Sequence, residues 1–391
     1  MPAGNSDVEV VSVVLNRRDL LKRGAGVVFS ITLFPVTVRG DGGLRSPPRH
    51  GASTPLNAYV HIARDGTVTI CCPSAEMGQG VMTALPLIVA EEMDADWSRV
   101  IVTPSPPVGD DYGDPLFINL IFTVASRSVA GYFERLRIFG AQARRTLVSN
   151  AAKTWNVPPD GLQTNMGQVL DPKSGRRMDY GEIVGLPHFD ASAGQADAPE
   201  LKHPSRFQLI GRDVEPRNLA AKVDGSVRFS IDESVPGMLH AAVIRPPFAG
   251  SRIKSIDDRD ARKASGVTGV HRRDETIAVV ARTWFEALTA KRSIRVQWQH
   301  ADATGSLDSQ RILEQSLRAA RDTATPGIPW DGAGDAPGHL GAEHRIIERE
   351  YSTEYMYHGG IEPMNATVHV HADGSRAEIW AGTQAPGYTL D

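Results

Sequence analysis

The stretch Glu76-Met77-Gly78-Gln79-Gly80 places a carboxylate, an amide and two glycines within five positions. It follows a strand-like run and precedes an apolar run with helical spacing. Without a Cβ, Gly78 and Gly80 let the backbone approach a ligand closely. Gln79 carries an amide that both donates and accepts. A helix starting here turns its first N–H groups toward the loop, which suits phosphate or pyrophosphate oxygens. By spacing alone, the same residues also make an ordinary tight turn. Glu76 has two readings, as an acceptor that orients the loop or as a solvated side chain.

A second candidate lies at Ser126-Arg127-Ser128, just before another helical run, where the hydroxyls and the guanidinium can donate to phosphate. His358 and Glu362 are read either as part of an active-site wall or as a buried structural pair. His240 is read as structural. Asp257, Asp258 and Asp260 read as a solvated helix start that suits the helix dipole.

Composition narrows the chemistry. The 391 residues are 41% hydrophobic with a formal net charge of −4, which allows two or three cored domains. No long basic block stands beyond the first 50 residues, so no nucleic-acid partner is expected. The two cysteines, Cys71 and Cys72, are adjacent. On a strand they point to opposite faces, so free thiols are expected. Two cysteines cannot hold a protein-bound iron–sulfur cluster, which takes about four. The sequence holds no dinucleotide-binding glycine fingerprint, Walker loop, zincin helix or hydrolase elbow.

The elements that must position these residues follow from pattern. Leu56 to Cys72 reads as a hairpin turning at Asp65-Gly66. Gly80 to Met93 reads as a helix, with Pro86 either kinking it or delaying its start. Trp97 to Thr103 reads as a strand, and Ser128 to Trp155 as a long helix capped by Ser126 or Ser128. A hairpin-like element is expected over Val169 to Met178, and a domain linker over 186–205. Strands are expected at Met238 to Ile244, Thr276 to Ala281, Arg345 to Tyr351 and within Thr367 to Trp380. Helices are expected from Ser255 to Ala264, from Trp284 to Lys291 and over Leu307–Arg321. Val223-Asp224-Gly225 is expected to be a turn. The fold class is α+β with several domains.

The N-terminus reads as an address. Arg17-Arg18-Asp19-Leu20-Leu21-Lys22 precedes a short apolar run from Gly24 to Val38. This pattern resembles a twin-arginine export signal over residues 1–45, either cleaved or kept as an anchor. It implies a periplasmic location or the periplasmic face of the inner membrane.

Several separated stretches resemble one family. Glu76-Met77-Gly78-Gln79-Gly80-Val81-Met82-Thr83 looks like the E-M-G-Q-G-x-x-T motif of the molybdenum hydroxylases, the xanthine dehydrogenase and aldehyde oxidase family. Leu209-Ile210-Gly211-Arg212, Val227 to Asp232, Pro236 to Ala241 and Arg245-Pro246-Pro247 resemble its a/b hammerhead domain. Gly266 to Val270 and Ile277 to Ala281 continue that likeness. Tyr351, His358, Glu362-Pro363 and Thr383-Gln384-Ala385-Pro386 resemble the start of its main cofactor-binding domain. The arrangement is most similar to the isoquinoline 1-oxidoreductase beta subunit type and to periplasmic aldehyde dehydrogenases.

The resemblance implies a molybdopterin-binding-like segment over 54–185, a hammerhead over 205–300 and the start of a further molybdopterin-binding domain over 340–391. It implies a molybdopterin cofactor, in its cytosine dinucleotide form, contacted by Gly78, Gln79, Gly80, Ser126, Ser128 and Gln384. It also implies a hydroxylase or dehydrogenase acting on an N-heterocycle or an aldehyde, with oxygen taken from water. Electrons would leave to a separate small subunit holding two [2Fe-2S] clusters, and from there to a cytochrome c acceptor. Where the family shows T-G-G-S, this chain has Thr123-Val124-Ala125-Ser126. The family's G-G-x-F-G, R-G-x-G and late G-x-G-E segments have no counterpart, so no catalytic residue and no protein metal ligand is assigned. The expectation is an N-terminal portion of a longer or split enzyme, inactive alone. The rival expectation is a non-catalytic exported binding or assembly subunit, or a decayed fragment.

Overall fold

The computed structural model describes residues 53–390, apart from 108–110, 115–119, 195–198, 301–306, 329–330, 343–344 and 358. The expected export signal over 1–45 and His358 lie outside the described residues. The chain divides into two compact units, Met1–Glu233 with Gly360–Asp391, and Ser234–Gly359.

The first unit begins with a sheet ordered β1 (Ser53–Pro55), β2 (Val60–Ala63), β3 (Val68–Cys72) and β4 (Val100–Pro104). β2 and β3 form the expected hairpin, and Gly66 at φ 84 makes its turn. β3 and β4 run parallel, with Val68 opposite Val100. A parallel pair needs a crossover connection, and helix α1 (Val81–Met93) provides it. The loop 73–80 therefore lies at the carboxyl end of β3, where α/β units commonly bind ligands. Pro86 sits inside α1 without ending it; it costs the bond an N–H would have made to Met82, and its buried ring packs in the core. Trp97–Arg99 form a 3₁₀ turn instead of opening the strand.

Helix α2 (Arg127–Trp155) lies against α1. Gly140 permits the close approach, because a Cβ there would meet the Val89 carbonyl oxygen at 2.6 Å. Leu85, Val89, Leu136, Ala143 and Leu147 are fully buried between these elements and the sheet. Strands β5 (Gln163–Asn165), β6 (Gln168–Leu170) and β7 (Arg177–Asp179) make a small antiparallel sheet, one strand more than expected. Helix α3 (Tyr180–Val184) follows, closed at its start by an Asp179–Glu182 capping box. The segment expected as a linker does not stand free, since Lys202 is buried in this unit. The expected turn at 223–225 is instead the end of α4 (Leu219–Asp224), with Gly225 as its left-handed cap at φ 76.

The second unit pairs β8 (His240–Ile244) and β10 (Val267–Arg273) on either side of β11 (Thr276–Ala281), all antiparallel. β9 (Arg252–Asp257) pairs with β12 (Arg295–Gln299). Ser255 to Asp257 are thus strand, and the helix α5 is shorter, Arg259–Lys263. Helix α6 (Trp284–Ser293) opens on a Thr283–Glu286 capping box. Ala261, Val270, Ile277, Val279 and Ala290 make the core of this unit. Helix α7 (Ser309–Arg321) and a short α8 (Ala336–Ala342) follow. The strand expected over Arg345 to Tyr351 does not form; Ile347 is 73% exposed and has no neighbouring strand among the described residues. In the returning part of the first unit, β13 (Ala366–Val370) pairs with β14 (Ala377–Ala381), and α9 (Pro386–Leu390) ends the described chain.

Candidate cofactor-facing site

Glu76 is 1% exposed, so the solvated reading of its side chain is excluded. Its Oε1 accepts the N–H groups of Gly78 at 2.8 Å and Gly80 at 3.0 Å, and its Oε2 accepts that of Met82 at 3.1 Å. The carboxylate thus sits at the N-terminus of α1 and meets its positive dipole end. That end was expected to be an open seat for phosphate, and Glu76 fills it. Burying a carboxylate is costly unless its oxygens are bonded, and three amide donors meet that demand.

Gly78 and Gly80 have φ of 95° and 90°, a region that disfavours any side chain. A Cβ at either would meet nothing within 4 Å among the described residues. Backbone conformation therefore requires these glycines, and the space above them is open. Gln79 is turned inward: Oε1 accepts the Met77 N–H at 2.6 Å and Nε2 donates to the Ala75 carbonyl at 2.9 Å. Its amide clamps the loop instead of reaching outward. The loop is also closed at its base, where Cys72 Sγ lies 3.6 Å from the carbonyls of both Ser74 and Val81. Burial pushes the Cys71 thiol up to about 11 and the Cys72 thiol up to about 12. Both are free, as adjacency on a strand implied, and both are buried.

The second candidate segment meets the first. Ala75 N–H donates to Thr123 Oγ1 at 2.8 Å, and Ser74 Oγ donates to Ser128 Oγ at 3.2 Å. Ser126 stands at the N-cap position of α2 without a side-chain capping bond, and it is exposed. The buried Asp114 carboxylate lies against Gly131 in the second turn of this helix, so close that a Cβ on Gly131 would meet its Oδ1. Ala125 and Ser126 take left-handed φ of 54° and 55°. Non-glycine residues adopt this at about 1 kcal/mol or more each. Val124, whose branched side chain would suit that region least, sits one position before it.

The third segment closes the group. Thr123 N–H donates to the Gln384 carbonyl at 2.8 Å, and Ala385 N–H donates to Thr383 Oγ1 at 3.1 Å. Gln384 is half-buried and joins through its backbone. Three stretches drawn from distant parts of the sequence thus form one hydrogen-bonded rim of loops 74–80, 123–128 and 383–385. Sequence reading identified all three stretches but not Thr123, the residue that bonds to both others. Its place in the T-V-A-S variant of the family pattern was the available signal.

Glu362 lies elsewhere in its role. Its Oε1 accepts from Ser230 Oγ at 2.6 Å, Ile231 N–H at 2.9 Å and Asn365 Nδ2 at 2.8 Å. It fastens the 230–231 turn to the returning chain, which is the structural one of its two readings. His240 lies on β8 opposite Ala281, in the second unit. Asp257 binds Arg259 through both carboxylate oxygens at 2.9 Å, and those hydrogen bonds hold its pKa down to about 2.

A network that the sequence did not suggest braces the other end of α1. Glu91 Oε2 accepts N–H groups from Gln208, Leu209 and Ile210 at 2.9, 2.6 and 3.1 Å. Lys202 Nζ reaches Glu91 Oε1 at 2.9 Å and Asp94 Oδ1 at 2.6 Å. Arg137 Nε donates to Glu92 at 2.7 Å. Burial acts to raise the Glu91 pKa, but the Leu209 N–H and the Lys202 ammonium outweigh it and hold it below the usual glutamate value. No periodicity announces a lysine 111 positions away as the partner.

Comparison with known proteins identifies the family. Residues 13–221 match the family model described as molybdopterin cofactor-binding domain. The chain is 36% identical to the beta subunit of isoquinoline 1-oxidoreductase from Brevundimonas diminuta, covering 96% of this chain and 52% of that protein. It is 29% identical to membrane-bound aldehyde dehydrogenase [pyrroloquinoline-quinone] of Gluconacetobacter polyoxogenes, over 95% of this chain and 48% of that one. It is 28% identical to one subunit of nicotinate dehydrogenase from Pseudomonas putida, over 85% of this chain and 27% of that one. The chain spans about half or less of the length of these relatives. With a family model matched over more than half of its residues, the chain belongs to the molybdopterin cofactor-binding domain family of molybdenum hydroxylase large subunits.

Proposed function

We propose that the chain is the part of a molybdenum hydroxylase large subunit whose loops 74–80, 123–128 and 383–385 hold one side of a molybdopterin cofactor. The observation that carries this reading is the hydrogen-bonded meeting of those three stretches through Thr123. The residues fit an anionic, phosphate-bearing group. The start of α2 has no side-chain cap and presents Ser128 and the basic Arg127. Among the described residues, the space above Gly78 and Gly80 is open. Gln79 and Glu76 act by holding the loop in shape, and Ser126, Ser128 and the Gln384 segment supply the facing polar groups.

When bound, the cofactor supplies two-electron oxidation of a carbon centre, with oxygen taken from water. The chain's own residues bind and orient it. The substrate class is an N-heterocycle or an aldehyde, in line with the names of the relatives. The cofactor is the cytosine dinucleotide form. Electrons pass to a separate small subunit with two [2Fe-2S] clusters, since two buried cysteines cannot bind such clusters here. A cytochrome c is the onward acceptor. Residues 205–300 act as the a/b hammerhead, and the protein reaches the periplasm by twin-arginine export. Turnover requires segments beyond these residues, because nothing here matches the family's glutamate base.

The test is to purify the chain with its small subunit and any neighbouring reading frame that carries G-G-x-F-G and G-x-G-E, then measure pterin and molybdenum. Stoichiometric pterin that is lost on Ser128→Ala with Thr123→Ala is the expected result. A folded complex without pterin overturns the reading and leaves a non-catalytic binding or assembly subunit.

A further inference from the structure

The β13–β14 hairpin carries a cluster of donor side chains that the cofactor-facing loops do not use. His369 lies on β13 and His371 directly follows its last residue, and their ring centroids are 4.7 Å apart. Glu378 on β14 is the direct cross-strand partner of His369. His369 Nδ1 lies 3.4 Å from Glu378 Oε2, and His371 Nε2 lies 3.8 Å from the same oxygen. The three ligating atoms all lie within 4.8 Å of one another. In a tetrahedral site with bonds of about 2.0–2.1 Å, ligand atoms stand about 3.3 Å apart. The observed spacing thus needs only small side-chain rotations.

Two further features favour ligation over a plain surface ion pair. His371 Nε2 is buried and makes no hydrogen bond, so its ring nitrogen is oriented but unsatisfied. The Glu378 carboxylate is held from behind, because Arg376 donates to its Oε1 while Oε2 faces the two imidazoles. The turn of the hairpin is braced where His371 N–H donates to the Arg376 carbonyl at 2.9 Å and Ser375 Oγ donates to Asp373 at 2.8 Å. Imidazole with one carboxylate suits zinc, copper or nickel over the hard cations, which prefer all-oxygen shells.

We propose that His369, His371 and Glu378 form a three-ligand site for a divalent transition-metal cation of the zinc class, separate from the loops that face the pterin. Arg376 orients the carboxylate and, as a nearby positive charge, moderates the affinity. The site leaves at least one coordination position for water. It does not depend on the proposed function, since none of its residues belongs to the rim of loops.

The test uses the purified chain stripped with a chelator. Zn²⁺ is titrated against a competing chromophoric chelator, and Co²⁺ is added separately to read visible absorption. The expected result is one saturable equivalent with Co²⁺ bands of a low-coordinate N/O site. His371→Ala and the near-isosteric Glu378→Gln should each weaken that equivalent by about 100-fold or more, beyond the usual cost of losing an outer partner. His240→Ala should leave it unchanged. Near-UV circular dichroism verifies folding of each variant; if His371→Ala is misfolded, His369→Gln replaces it. Absence of a saturable equivalent in the wild-type chain overturns the proposal. So does an equivalent that survives in Glu378→Gln and in a folded histidine variant.

Discussion

Helix α1 has a buried glutamate at either end, and each carboxylate collects three backbone N–H groups. Glu76 takes its donors from residues two, four and six positions ahead. Glu91 takes them from residues 117 to 119 positions away, along with a lysine. Glu76 sits at the positive end of the helix dipole and is favoured there. Glu91 and Glu92 sit at the negative end, where the dipole opposes them. Lys202 and Arg137 offset that opposition, and Lys202 Nζ also satisfies the Glu91 carbonyl. The entrance is thus a locally closed loop that shapes one part of the rim of loops. The exit is a tertiary clamp that pins the 202–210 strap to the core. Loop shape and fold stability should respond separately to change at the two ends.

The largest expected effect is at the exit. Glu91→Ala leaves Lys202 and three amides poorly satisfied in a buried setting, and should cost about 3–5 kcal/mol in denaturant unfolding. Lys202→Met should cost a comparable amount, and the double variant less than the sum, because the partners share one network. The same contrast has a pH signature. The folded pKa of Glu91 is depressed, so its contribution is present above the unfolded glutamate value and is lost as pH falls through the folded one. Thermal stability should therefore fall on acidification below that range, and Glu91→Gln should flatten the fall. A Glu91→Gln profile that still parallels the wild type would break the argument.

At the entrance the effect should be smaller and local. Glu76→Gln keeps the acceptor for Gly78 and Gly80 but turns a donor toward Met82 N–H, costing about 1–2 kcal/mol. Amide exchange should quicken at 78–82 and not at 208–210. The two ends lie more than about 10 Å apart along the helix, so Glu76→Gln and Glu91→Gln should be additive within about 0.5 kcal/mol. Strong coupling would show that loop and clamp are one device. Gly78→Ala or Gly80→Ala should cost about 1 kcal/mol from φ alone, since the space around both is open. The smallest signal is chemical. Cys72, with its thiol near 12, should resist disulfide reagents at pH 8 in the wild type and react measurably faster in Glu76→Gln, where the loop it closes is loosened.

Much of the fold could be read along the chain because its causes are local. Alternation around Asp65-Gly66 specified the β2–β3 hairpin, and the long apolar stripe specified α2. Pro86 left the start of α1 open, and packing settled it: the helix runs from Val81 through the proline because its face is buried. Ser255 to Asp257 became strand because β12, some 40 residues later, offers a ladder partner. Arg345 to Tyr351 has strand-like residues and no such partner among the described residues, so it stays irregular. The candidate site divides the same way. Its three stretches were visible as motifs, whereas the inward turn of Gln79, the joining role of Thr123 and the structural role of Glu362 were not.

The sequence by itself determined the glycines of the Gly78-Gln79-Gly80 turn, the strand–loop–helix order around it, the free thiols of the adjacent cysteines and the family likeness. These follow from short-range sterics and periodicity, which act between neighbours. Only the tertiary structure decided that Glu76 closes the helix start that a phosphate was expected to use, and that the uncapped start of α2 stands beside it. It alone brought Lys202 to Glu91 and the Gln384 segment to Thr123. Hydrogen bonds and buried charges need partners in space, and the chain supplies them from positions that no local pattern marks.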